Sequence, residues 1–229
     1  LCSALICGDL VVNIPSEARS NKQLIRKRAE FRRIERDLIT HLRYVELSEP
    51  DMLLPIGDTN RLLQVLEQDW GYRSLSIDAS LLSSVQSIVR DGNWKVTAAV
   101  FEEQDSLPVV IGLWPSLKER IYGFSIDIGS TTIASHLCDL TTGRVVSSSG
   151  ALNPQIRFGE DLMSRISYIQ MNSGGESELT DEVRKAIDEL IIKTAKDAGV
   201  ELSDILEVVI VGNPIMHHLL LGINPIELG

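Results

Sequence analysis

Phe124-Ser125-Ile126-Asp127-Ile128-Gly129-Ser130-Thr131-Thr132 is the stretch on which the reading of this 229-residue chain turns. Phe124, Ile126 and Ile128 alternate with polar residues, which predicts a strand, and Gly129 ends it. Glycine permits a backbone path that a side chain blocks. A tight turn of this kind points amides and hydroxyls at an anion, and Ser130, Thr131 and Thr132 provide three hydroxyls. Asp127 stands at the strand end, where a carboxylate is suited to hold the water shell of a Mg²⁺ ion. A plain β-hairpin with polar turn residues uses the same residue types. The flanking segments favour a phosphate loop, though not a Walker A loop, since no Gly-Lys-Ser/Thr follows.

Working outward, strands are predicted at Gly123–Asp127, Thr132–Leu140 and Arg144–Ala151, with Thr141-Thr142-Gly143 as the turn between the last two. Helices are expected over Gly159–Met171 and Thr180–Ala198, separated by Ser173-Gly174-Gly175. The second carries Val183, Ile187, Leu190, Ile191 and Ala195 on one face. Glu207–Val211 reads as a buried strand and Met216–Leu221 as the start of another helix. The order β-β-β-α-β-α is that of a ribonuclease-H-like layer. The predicted fold is therefore α/β, with residues 121–229 forming the first half of an actin-like (ASKHA) nucleotide-binding domain.

Two more stretches belong to this site. In Ile210-Val211-Gly212-Asn213-Pro214 a buried strand meets glycine and then a helix start. Gly212 and Asn213 are expected at the sheet edge that carries Asp127, where α/β sheets bind ligands. His217 and His218 follow as metal ligands or as packing and capping residues. Adjacent helical side chains point about 100° apart and chelate poorly. In Asn153-Pro154-Gln155-Ile156-Arg157-Phe158-Gly159-Glu160-Asp161 a glycine precedes an acidic first helical turn. Glu160 and Asp161 either complement the helix dipole or orient water or Mg²⁺ near a γ-phosphate.

Toward the N-terminus, Gly8–Pro15 reads as a turn and a short strand ended by proline, too short to fold alone. Residues 17–43 are predicted as one long helix, with Leu24, Phe31, Ile34, Leu38 and Leu42 on one stripe. Its basic residues, including Arg26-Lys27-Arg28 and Arg32-Arg33, suit an acidic partner or a solvated linker face. Glu30, Glu35 and Asp37 interleave with them and favour the latter. Residues 44–114 read as a small α/β unit. Helices are expected around Leu62–Leu66, ending near Trp70-Gly71, and from Asp78 to Asp91, with strands at Trp94–Phe101 and Pro108–Gly112. No catalytic signature stands out there.

A net charge of −10 argues against nucleic acid as the main partner. No apolar run approaches the roughly 20 residues of a membrane span, and no signal peptide is visible. Three cysteines, Cys2, Cys7 and Cys138, do not make a disulfide framework. The expected compartment is the cytoplasm, and Cys138 is expected to be a buried small hydrophobe. The chain begins at Leu1, which reads as a processed terminus or a piece of a longer protein.

Taken together, Gly8–Pro15, Val45-Glu46-Leu47, Gly57-Asp58, Arg61-Leu62, Trp94 with Val96-Thr97, Tyr122–Thr132, Asn153–Ile166 and Val209–Leu221 resemble the reductive activators of corrinoid proteins. These are iron–sulfur ATPases that re-reduce inactivated cobalamin in methyltransferase systems. The resemblance implies a plant-type [2Fe–2S] ferredoxin domain ending near residue 15, a linker helix over 16–43, a middle domain over 44–114 and an actin-like domain from 121. Cys2 matches the last cluster ligand. The C-x₄-C-x₂-C run that holds the other three is absent, and Cys7 is expected to be a packed thiol. The second half of the actin-like fold is also absent, so this polypeptide is expected to bind neither a complete cluster nor ATP with Mg²⁺ tightly. The resemblance further implies a corrinoid protein partner, a homodimer and ATP-dependent return of Co(II) to Co(I). An electron moved uphill by about 0.2 V costs roughly 4–5 kcal/mol, within reach of ATP. An actin-like kinase for a small metabolite and a nucleotide-switched assembly module are the rival readings. The kinase reading accounts for neither Cys2 with its strand nor the middle domain, and neither rival is expected to contain iron.

Overall fold

The computed structural model describes residues 37–229 apart from Leu54. Cys2, Cys7, the Gly8–Pro15 strand and the helix expected from residue 17 lie outside the described residues as far as Arg36.

Two four-stranded sheets follow one another along the chain. The first contains β1 (Thr40–Glu46), β2 (Ser76–Ile77), β3 (Lys95–Phe101) and β4 (Val109–Pro115) in the order β1-β3-β4-β2. The β1–β3 and β3–β4 pairs are antiparallel, and β2 runs parallel to β4. Helices α1 (Asp58–Trp70) and α2 (Val85–Asp91) pack on this sheet. Leu62, Leu66, Val85 and Val89 from the helices meet Val45, Val96, Ala98, Val100 and Val110 in one cluster. Gly71 ends α1 in the left-handed conformation at φ 75°, a geometry that glycine adopts without strain.

Two sequence expectations fail in this unit. The helix predicted to run to residue 43 does not reach it, because Thr40–Glu46 is β1, paired residue for residue with Phe101–Lys95. Leu38 and Leu42 extend the helical stripe on paper, but the ladder to β3 and the strand-favouring Thr40, Tyr44 and Val45 override that local pattern. The helix expected from Asp78 is broken. Asp78 caps a single 3₁₀ turn, Ala79–Leu81, through the Ser80 amide at 2.8 Å, and α2 starts only at Val85.

The second sheet contains β5 (Tyr122–Ile128), β6 (Thr132–Asp139), β7 (Arg144–Leu152) and β8 (Ile205–Gly212), in the order β7-β6-β5-β8. The first three form an antiparallel meander, and β8 runs parallel to β5. Helices α3 (Leu162–Met171), α4 (Gly175–Ala198) and α5 (Pro214–Leu221) supply the covering layer. Phe124, Ile126 and Ile128 of β5 and Ile133 and Leu137 of β6 pack with Leu179, Val183, Ile187 and Leu190 of α4 and Met216 and Leu219 of α5. Period-2 alternation puts Ser125 and Asp127 on the other face. Val209 and Val211 stand beside them in register, 59% and 50% exposed, so β8, expected to be a buried strand, is an edge strand with one face open. This mixed α/β architecture, an ASKHA-like half-domain after a smaller α/β unit, is the predicted fold class. Cys138 is only partly buried, and burial pushes its thiol pKa up. Among the described residues no helix is long and apolar enough to cross a membrane.

A candidate phosphate-binding site at the sheet edge

β5 and β8 end side by side, with Ile128 opposite Gly212 and Asp127 opposite Val211. The sequence-predicted Asp127, Gly129, Ser130, Thr131, Thr132, Gly212 and Asn213 therefore share one edge of the sheet. Gly129 closes the turn by donating its N–H to the Thr132 carbonyl at 2.9 Å. A Cβ on Gly129 would lie 2.7 Å from that same oxygen, closer than real Cβ contacts come, so the turn demands glycine. At Gly212 a Cβ would stand 3.1 Å from the Ile128 carbonyl, which makes the parallel pair tight at its end.

The loop carbonyls are held from behind. Asn153 donates Nδ2–H to the Gly129 carbonyl at 2.9 Å and its backbone N–H to the Thr131 carbonyl at 2.8 Å. Arg165 donates from Nη2 to the Ser130 carbonyl. In a trans peptide the C=O and the next N–H point in opposite directions, and no peptide bond among the described residues is cis. Fixing the Gly129 and Ser130 carbonyls inward therefore turns the Ser130 and Thr131 N–H groups outward. Successive outward amides with adjacent hydroxyls form an anion-binding concavity.

Arg165 is fully buried, and its guanidinium is the hub of the site. Besides Ser130 it donates from Nε to the Gly159 carbonyl at 3.1 Å, and from Nη1 to Gln155 Oε1 at 3.1 Å and to Met216 Sδ at 3.3 Å. One side chain thus joins the Gly129–Thr132 loop, the segment before α3 and the first turn of α5. Gln155, itself fully buried, is fixed by donating to the Leu179 carbonyl at 2.8 Å. Gly159 has no room for a Cβ, which would lie 2.7 Å from the Arg165 nitrogen. Neither Arg165 nor Gln155 was singled out by sequence reasoning. The signal was present: Arg165 sits on the stripe of Leu162, Ile166 and Ile169, so a cation occupies a core position of α3.

The remaining predicted residues have local duties. Asp161 is the N-cap of α3, accepting from the Ser164 amide at 2.7 Å, and that bond chiefly holds its carboxyl below the usual range. Glu160 precedes it, one residue after the Gly159 carbonyl that Arg165 ties to the loop. Asn213 caps α5 through the Met216 amide at 3.0 Å. His218 Nδ1 lies 2.8 Å from the Pro214 carbonyl, and the ring of His217 packs near Gly212. Among the described residues no group of three His, Cys, Asp or Glu is arranged to hold a metal ion.

This chain is similar to a curated protein of Eubacterium limosum, "Corrinoid activation enzyme RamQ", at 36% identity over 113 residues, 49% of this chain and 19% of that protein. Its fold is similar to a solved "Reductive activator for corrinoid,iron-sulfur protein", with a TM-score of 0.70 and 32% identity over 86% of this chain and 31% of the other. The chain thus spans a fifth to a third of the length of these relatives. A family model for the RACo linker region matches residues 29–120, the unit of the first sheet. A model for the RACo middle region matches residues 122–229, the unit of the second sheet. The two models join with only Ile121 between them, and the chain belongs to the RACo family, of which it carries the linker and middle regions.

Proposed function

We propose that the full-length protein is an ATP-dependent iron–sulfur reductive activator that returns the Co(II) state of a corrinoid protein to Co(I) during methyl transfer. The observation that carries the reading is the loop Gly129–Thr132, whose carbonyls are pinned inward by Asn153 and Arg165 at the shared end of β5 and β8. Redox chemistry enters from the relatives, one described as a corrinoid activation enzyme and one as a reductive activator for a corrinoid, iron–sulfur protein.

The residues fit MgATP. At Gly129 and Gly212 a Cβ would crowd the Thr132 and Ile128 carbonyls, so glycine keeps the turn and the strand end tight where phosphates would lie. The Ser130 and Thr131 amides, with the hydroxyls of Ser130, Thr131 and Thr132, bind phosphate oxygens, and Asp127 orients the water shell of Mg²⁺. Asn213 positions the start of α5 beside them by its cap. Asp161 fixes the first turn of α3, and Glu160 orients water toward the γ-phosphate position. Bound MgATP supplies the free energy that offsets an uphill electron transfer to cobalt. Cys2 is the fourth thiolate ligand of a [2Fe–2S] cluster, and the protein works as a homodimer.

Asp127→Ala in the full-length gene product tests this. The substitution removes the carboxylate at the strand end and leaves the segment around Cys2 untouched. Co(I) formation on the corrinoid partner is followed optically with and without ATP, alongside the visible spectrum of the cluster. The expected result is loss of ATP-dependent Co(I) formation with an unchanged cluster spectrum. Full ATP-stimulated reduction by the variant would remove the role of Asp127 and the phosphate-loop assignment with it.

A further inference from the structure

We infer that Arg165 is a buried counter-charge for the ligand's phosphate groups, acting on them through the Ser130–Thr131 peptide, so that this positioning residue sets the preference of the site for more highly charged polyphosphates. The inference rests on the phosphate-loop reading above and deepens it.

Burying an arginine is expensive unless a counter-ion accompanies it. All four acceptors of the Arg165 guanidinium are neutral: the carbonyls of Ser130 and Gly159, Gln155 Oε1 and Met216 Sδ. Each guanidinium nitrogen has an acceptor, but the charge is not balanced by contact. Asp161 acts on it only through space, and its carboxylate is committed to the Ser164 amide. Burial pulls the Arg165 pKa down, yet a guanidinium stays charged at neutral pH. Among the described residues the other well-buried arginines have carboxylates, whereas exposed Arg184 donates to the Leu220 carbonyl. Arg61 and Arg90 share Asp58, and Arg43 has Glu102. A neutral amide can serve as a hydrogen-bond hub, as buried Gln155 does nearby, so the hub role alone does not account for a cation here.

The geometry gives the charge a route to the ligand. The carbonyl that Arg165 Nη2 binds and the Thr131 N–H belong to one planar peptide. A cationic donor on the oxygen polarises that peptide and makes the N–H on its far side a stronger donor to an anion. The apo protein thus carries a desolvated positive charge behind the loop, and a phosphate in front of the loop compensates it.

The test uses the full-length protein with Arg165→Met, which keeps length and removes charge, Arg165→Lys, which keeps charge and removes the fork, and Asp127→Ala as the reference for the loop. Dissociation constants for MgATP, MgADP and adenosine are measured together with Tm in the absence of nucleotide. Arg165→Met is expected to weaken MgATP by about tenfold or more, MgADP by less and adenosine not at all. Its ATP-to-ADP affinity ratio should fall by about threefold or more. Arg165→Lys should lower Tm yet hold that ratio within about twofold. A ratio unchanged in Arg165→Met, or a parallel loss of adenosine binding, would overturn the charge role and leave Arg165 a structural hub. If Arg165→Met does not fold, Arg165→Gln takes its place as the charge-removing variant, with a fallen ratio supporting the inference and an unchanged ratio overturning it. Wild-type MgATP affinity in Asp127→Ala would instead defeat the phosphate-loop reading, an outcome separate from anything Arg165 does.

Discussion

The two units of this chain treat their most buried arginine, Arg61 in the first and Arg165 in the second, in opposite ways. In the first, charged side chains close on one another. Asp58 takes both Arg61 and Arg90. Arg43 donates to the Tyr72 hydroxyl at 2.7 Å and to Glu102 at 3.3 Å, and Tyr72 donates to the same Glu102 oxygen at 2.6 Å. Burial and that bond push the Tyr72 pKa up to about 12, so its proton stays in the cluster. In the second sheet the fully buried cation, Arg165, spends its donors on neutral atoms behind a loop whose amides face outward. A unit whose buried and half-buried arginines each meet a carboxylate is built as a scaffold. A unit that carries an unbalanced charge behind a turn is built to receive something.

Matched glycines break that comparison most sharply. A Cβ on Gly92, at the end of α2, would lie 2.1 Å from the Lys95 carbonyl and 3.1 Å from the Ser116 nitrogen, both backbone atoms. Gly92→Ala should destabilise the first unit by about 3 kcal/mol, the upper end for overpacking, with nucleotide affinity unchanged in the molecules that fold. Gly129→Ala meets the Thr132 carbonyl at 2.7 Å and should do the reverse. The loop opens, MgATP affinity of the full-length protein falls by at least about tenfold, and Tm drops by a few degrees. Denaturant titration and calorimetric binding on both variants check the pair. Equal loss of affinity in both would erase the division between scaffold and site.

Asp58→Asn comes next in size. Its carboxylate is nearly buried and answers two guanidiniums, one of them Arg61, itself almost buried. Removing the charge should cost roughly 2–3 kcal/mol, reduced from the buried-pair range because Arg90 is 41% exposed. Desolvation pushes the Asp58 pKa up, but hydrogen bonds from Arg90 and Arg61 outweigh it and hold the group below its usual value. A depressed folded-state pKa contributes stability above the unfolded value, near about 3.9, and loses it as pH falls through the folded value. Unfolding free energy measured between neutral pH and pH 3 should therefore fall less steeply for Asp58→Asn than for the parent. Parallel pH curves would show that Asp58 is not linked to folding.

Sequence reasoning saw the second unit better than the first, and the reason is physical. The strands β5 to β8 and the long helix α4 announce themselves by period 2, by the 3.6 period and by glycine at each end. The α4 start at Gly175 rather than Thr180 is only an early boundary. In the first unit the helix reading takes in residues 40–43 of β1 because their polar and apolar residues fit either period, and only the ladder to β3 decides between them. β2 has two residues, too few to show any period. The shared placement of Asp127, Gly129 and Gly212 at the strand ends was legible because turns there demand particular residues. The inward clamps Arg165 and Gln155 were not, because what gives them their role is contact with segments up to 51 residues away.

The smallest effect concerns the joint between the two units. Lys118, on the segment between β4 and β5, donates its N–H to Thr97 Oγ1 of β3 at 2.9 Å, and Thr97 donates to the Ser116 carbonyl at 2.7 Å. Its ammonium reaches Asp204, just before β8, at 2.6 Å. One residue thus fastens the linking segment to the first sheet by its backbone and to the second unit by its charge. The side chains are 27% and 12% exposed, so the pair is neither a screened surface bridge nor a desolvated one. A double-mutant cycle with Lys118→Met and Asp204→Asn should return a coupling of about 0.5–1 kcal/mol. If the scaffold and the site unfold as one body, that coupling appears in a single cooperative transition. If they are independent, each single variant shifts only one of two transitions and the coupling vanishes. A zero coupling with one transition would leave the packing between the units, rather than this ion pair, as what joins them.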